Sequence, residues 1–132
     1  MTSSPLSRAR RSRQLALPFI AALCHLAFGS ALAAEPDAWP VIGRQGLVRL
    51  VLVPSAQASD DAAYRQQISR LCEPERTCFL NFYTNSKGAE LGTPLPDAIA
   101  EEATATFRRS MKNGAELLRW SCRLKVPGKE CF

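Results

Sequence analysis

Leu47-Val48-Arg49-Leu50-Val51-Leu52-Val53, stopped by Pro54, is the stretch on which the fold turns. It is rich in β-branched residues and almost wholly apolar, and Pro54 has no N–H to give to a ladder, so the run reads as a strand ending there. A strand this apolar is expected at the centre of a sheet, covered on both faces. A loop over 55–59 follows. Ser59 before Asp60-Asp61 then marks a helix start, a capping side chain followed by two acids at the positive end of the dipole. Tyr64, Ile68, Leu71 and Cys72 recur at i, i+4, i+7 and i+8, which predicts a helix over 60–72 with one buried face.

Downstream, Cys78-Phe79-Leu80-Asn81-Phe82-Tyr83-Thr84 predicts a second strand, with Cys78, Leu80 and Phe82 on one side and Phe79, Asn81 and Tyr83 on the other. Residues 85–96 hold two Gly and two Pro, with Asn85-Ser86-Lys87-Gly88 as a turn. Twelve residues is long for a connection, and long loops often carry function. Ile99, Ala103, Thr106 or Phe107, and Ser110 or Met111 trace a second helix over 97–112, closed by Asn113-Gly114. In Glu116–Leu124, Leu118, Trp120, Cys122 and Leu124 alternate with Leu117, Arg119, Ser121 and Arg123, the pattern of a half-buried third strand. Upstream, residues 34–46 carry Pro36, Pro40, Gly43 and Gly46 and read as an extended lead-in pinned by Trp39. The expected architecture is a single small α/β or α+β domain of order β-α-β-α-β, a three-stranded sheet with two helices. Its first two strands would run parallel through a right-handed crossover, with the direction of the third left open.

Ahead of this domain the chain begins as an export signal does. Arg8, Arg10, Arg11 and Arg13 form a basic region, Leu15 to Phe28 an apolar one, and Ala31-Leu32-Ala33 a small-x-small cleavage site. Residues 1–33 are therefore expected to be removed, leaving 34–132. The fourteen apolar-region residues, with His25 among them, are too few for a membrane anchor. Leu23 before Cys24 argues against lipidation, and Arg13-Gln14 against twin-arginine export. The charge of +5 is largely a property of this segment: without its four Arg, 13 basic residues face 12 acidic ones, close to +1. Field-driven binding of nucleic acid loses its support. No later stretch is apolar for long enough to insert stably in a bilayer, and the chain is expected to be periplasmic or secreted.

Cys72, Cys78, Cys122 and Cys131 remain after cleavage, an even number in an exported chain, and so read as two disulfides. Local closure favours Cys72–Cys78 around Glu73-Pro74-Glu75-Arg76-Thr77, and Cys122–Cys131 around the Pro127-Gly128 turn. The intervening five and eight residues do not suit a thioredoxin-type redox pair or short zinc knuckles. Loss of His25 removes His-based catalytic relays and His-metal ligation, so no catalytic residue, metal or cofactor is assigned. Asp60-Asp61 and Glu101-Glu102 are neighbours on predicted helices and diverge rather than converge.

The feature above background is a polar sheet face. Arg49, Asn81, Tyr83, Arg119 and Arg123 fall on the non-core sides of the strands, with Asn85 and Lys87 at the carboxyl end of the second. If both helices cover one face, these residues line the other, and Arg and Tyr are common interface anchors. The expectation is a non-enzymatic binding or inhibitor-like domain whose partner is a protein or a small anionic ligand. A small His-independent hydrolase or lyase, using carboxylates with Tyr83 or Lys87, is the rival. A structural envelope component is the third reading.

Overall fold

The apolar run at 47–53 forms strand β2 (Val48–Leu52) of the structure, a computed structural model that describes residues 38–132. The expected signal, its cleavage site and the first residues of the lead-in lie outside the described residues. The helix predicted over 60–72 is α1 (Asp61–Leu71), and Asp60 rather than Ser59 caps it, its carboxylate accepting from the Ala63 N–H at 3.1 Å. The strand after it is β3 (Cys78–Tyr83), parallel to β2 as the crossover requires.

Elsewhere the expected fold is corrected. The single small domain is mixed α+β, and its sheet has five strands, not three, in the order β-β-α-β-α-β-β. Residues assigned to the lead-in form β1 (Val41–Gln45), which returns through a tight turn at Gly46 (φ +59°) to pair antiparallel with β2. As an edge strand it needs little apolar character, which is why composition concealed it. The predicted helix over 97–112 is one turn, α2 (Asp97–Ala100), followed by β4 (Ala103–Ser110). There Ala105 and Phe107 are buried while Thr106 and Arg108 face the other way, a period of two, although Ile99, Ala103 and Phe107 also fall at a helical spacing. Asn113-Gly114, with Gly114 at φ +67°, lies in the hairpin turn to β5 (Ala115–Trp120) rather than closing a helix. The last strand stops at Trp120, and Cys122–Leu124 is a single 3-10 turn.

Strands β1 to β5 lie side by side in chain order, and only the β2–β3 step is parallel. Helix α1 packs on one face through Tyr64 and Ile68 against Val51, Leu80, Phe82, Ala105, Phe107 and Trp120. Tyr64 is the hub. Its ring centroid lies 4.6 Å from that of Trp120, 4.8 Å from Trp39 and 4.9 Å from Phe82. Its hydroxyl donates to the Ala58 carbonyl at 3.1 Å and is hydrogen-bonded to the Thr104 hydroxyl at 2.6 Å. Burial pushes the phenol up to about 12. Trp39 is not a clasp on a lead-in but part of this core. Its backbone N–H donates to Gln67 Oε1 (2.9 Å) and its indole N–H to Gln57 Oε1 (3.0 Å).

Both disulfides close locally, Cys72–Cys78 and Cys122–Cys131. The first joins the end of α1 to the start of β3. The second folds the tail back on β5, where the Phe132 N–H donates to the Trp120 carbonyl at 2.9 Å. Two disulfides in so small a domain fit a non-reducing compartment, such as that of an exported protein.

Candidate binding face

The sheet register sorts the predicted residues. Pairing brings Leu50, Asn81, Thr106 and Arg119 into one row across the sheet, and Val48, Phe79, Arg108 and Leu117 into the next. Both rows lie on the face turned away from α1. Asn81 is the centre of a short network: its Nδ2 donates to the Tyr83 hydroxyl at 3.2 Å, and Arg108 donates to its Oδ1 at 2.7 Å. The Arg108 guanidinium stacks 5.7 Å from the Phe79 ring centroid and also donates to the Leu80 and Phe107 carbonyls at 2.8 Å. Desolvation lowers its pKa. Arg119 is held at the rim by the Cys131 carbonyl (3.0 Å) and lies 6.0 Å from the Phe132 ring centroid. Leu117 is 44% exposed and Phe132 45%. The connection over 85–96 covers the β1–β2 side of this face, where a Cβ at Gly43 would meet Leu50 at 3.5 Å and the Thr93 hydroxyl at 3.9 Å.

Thus Asn81, Tyr83 and Arg119 share a face, as the alternation implied, and Arg108 joins them. Sequence reasoning missed Arg108 because it fell inside a predicted helix; the Phe107-Arg108 alternation was the signal available. Arg49 does not join them. It pairs with Leu80 in the register, which puts it on the helix-covered side, and its guanidinium donates to Cys78 Sγ at 3.1 Å. Asn85 is occupied within its own turn, bracketing Ala89 through both amide atoms at 2.8 Å. Lys87 and Arg123 meet at the carboxyl end of the parallel pair, in an open cleft of about 390 Å³ shared with Glu101 and Glu102. Tyr83 is therefore on one surface and Lys87 on another.

In that cleft Glu102 is the conspicuous group. The Ser86 backbone N–H (2.8 Å), the Ser86 hydroxyl (2.6 Å) and the Thr84 hydroxyl (2.7 Å) donate to its carboxylate. They hold its pKa down to about 2 from the ordinary 4.5. Because the folded value is the lower one, the carboxylate's contribution to stability is complete above pH 4.5 and is lost as pH falls through about 2. Glu102→Gln should therefore be less stable than the wild type near neutrality, with the gap closing through that window in denaturant melts. A gap that stays constant down to pH 2 would show that the ionised carboxylate is not what fastens the loop.

Among the described residues, no group of three or more His, Cys, Asp and Glu is placed to hold a metal ion. No helix there is long and apolar enough to cross a membrane. No family model, no curated protein and no solved structure matches the chain.

Proposed function

We propose that this is a non-enzymatic binding domain of the periplasm or the extracellular medium, and that it engages a protein partner through the sheet face opposite α1. The observation that carries this reading is the composition of that face: Phe79, Tyr83 and Leu117 interleaved with Arg108 and Arg119, on the side of the sheet away from α1. Aromatic and Arg side chains on a broad sheet surface are the combination that anchors protein interfaces. The Arg108–Asn81–Tyr83 network fixes the side chains in advance, which lowers the entropy lost on association. A sheet surface offers area rather than enclosure, which favours a macromolecule over a small ligand.

The test is capture of a partner from the cell-envelope fraction, with Leu117→Ser and Arg119→Ala compared with the wild type. Leu117 is exposed, and Arg119 is half-buried with its contacts running only to the exposed tail, so the double variant should melt within about 1 kcal/mol of the wild type. Truncation of an interface anchor costs about 2 kcal/mol or more, so binding to the captured partner should weaken by roughly thirtyfold. Equal affinity of the two proteins would remove the face from consideration.

A further inference from the structure

A cleft at the amino end of the β2–β3 pair gathers three arginines and a single acid at its rim. Arg44 and Arg49 stand directly opposite each other across the β1–β2 ladder, an arrangement in which like charges destabilise a sheet. No ion pair joins either of them to a carboxylate among the described residues. Arg76 comes from the loop closed by Cys72–Cys78 and lies 3.4 Å from Glu73, with side chains 72% and 73% exposed. A pair so open to water contributes little. Leu71, the last residue of α1, also lines the cleft, and the helix end supplies about half a negative charge. That offsets part of one guanidinium, not three. Arg49 is held in place by its contact with Cys78 Sγ, and a disulfide sulfur is a weak acceptor that orients the fork without neutralising it.

We infer that this cleft, of about 280 Å³, is a binding site for a small oxyanion, a phosphate or carboxylate group received between Arg44 and Arg49 and closed over by Arg76. The guanidinium fork matches both groups through paired N–H···O bonds, and an anion between the two strands turns a repulsive pair into a bridge. Leu47 and Leu71 offer the apolar surface against which the body of the ligand would rest. The site shares neither Arg108 nor Arg119 with the sheet-face reading and stands or falls separately.

The test is titration of the full chain, both disulfides formed, with inorganic phosphate and separately with succinate. Ionic strength is held constant with sodium chloride, and Tm and the arginine Nε–H resonances are followed. Phosphate stabilises many proteins weakly by exclusion from their surfaces, so the variants decide. Expected are a saturable rise in Tm and resonance shifts at Arg44, Arg49 and Arg76. Arg44→Gln and Arg49→Gln should each weaken binding by about tenfold or more, and Arg119→Gln should bind as the wild type does. Without ligand, Arg44→Gln should melt at or above the wild type, because a repulsion has been removed. A response to phosphate alone assigns a phosphate ligand, and a response to succinate alone a carboxylate. No saturable response to either, or an equal response in Arg44→Gln, would overturn the site.

Discussion

Trp120→Ala should lower the unfolding free energy by about 3–5 kcal/mol, and Trp39→Ala should cost a comparable amount. Folding of a small domain yields only about 5–15 kcal/mol in all, so either change should leave much of the chain unfolded at 37 °C. The two indoles are 1% and 3% exposed and flank the same Tyr64 ring. Removing one leaves a cavity that the other side of the tyrosine cannot fill. Trp39→Ala also leaves the Gln57 side-chain oxygen without its indole donor, whereas Gln67 keeps its bond to the backbone N–H of residue 39. Trp120→Phe should be much milder than alanine, because the Trp120 indole N–H is buried without an acceptor and no hydrogen bond is lost with it. Denaturant melts of the three variants check the ordering. A Trp39→Ala protein nearly as stable as the wild type would show that β1 and its approach are dispensable to the core.

Replacing Cys72 and Cys78 together by alanine should cost about 2–3 kcal/mol through the freed loop alone, with a further loss from the sulfur atoms taken out of the core. Replacing Cys122 and Cys131 should cost less. Loop length separates the two bridges only weakly. What separates them is burial: Cys72 and Cys78 are packed in the core cluster, whereas Cys122 and Cys131 are exposed, and their tail keeps its backbone hydrogen bonds to Trp120. Urea titrations of the two double variants give the comparison directly. The opposite order would mean that the tail, not the α1–β3 junction, is the weaker point of the fold.

Strands β2 and β3, helix α1 and both disulfide spacings were legible because each rests on one unambiguous signal. β4 was not. Ile99, Ala103, Thr106 or Phe107, and Ser110 fit a helical stripe, yet Thr104, Thr106 and Phe107 are residues that favour a pleated surface, and Asn113-Gly114 is as good a hairpin turn as a helix stop. Tertiary pairing with β3 decided the matter. The sheet face was half legible for a related reason. In β2 both Leu50 and Val51 are buried, one on each side of the sheet, so burial alone could not say which side Arg49 takes. Only the parallel register with β3, which no local pattern encodes, puts it beside Leu80. In β3, where Leu80 and Phe82 are buried and Asn81 and Tyr83 are not, the alternation sufficed.

The position of β3 has a kinetic consequence. The outer hairpins β1–β2 and β4–β5 close through tight turns, and such hairpins form in about 1–10 μs. β3 reaches both of its neighbours only through long connections, 53–77 on one side and 84–102 on the other, so its insertion carries two loop closures and sets the pace of folding. Each connection is fastened where it meets the strand, by Cys72–Cys78 at the start of β3 and by Glu102 holding Thr84 and Ser86 at its end. The disulfide persists in the unfolded chain and shortens the first of these closures, whereas the Glu102 hydrogen bonds exist only once the strand is in place. The covalent clasp on β3 thus shortens the search that precedes its insertion, and the Glu102 clasp holds the strand once it has arrived.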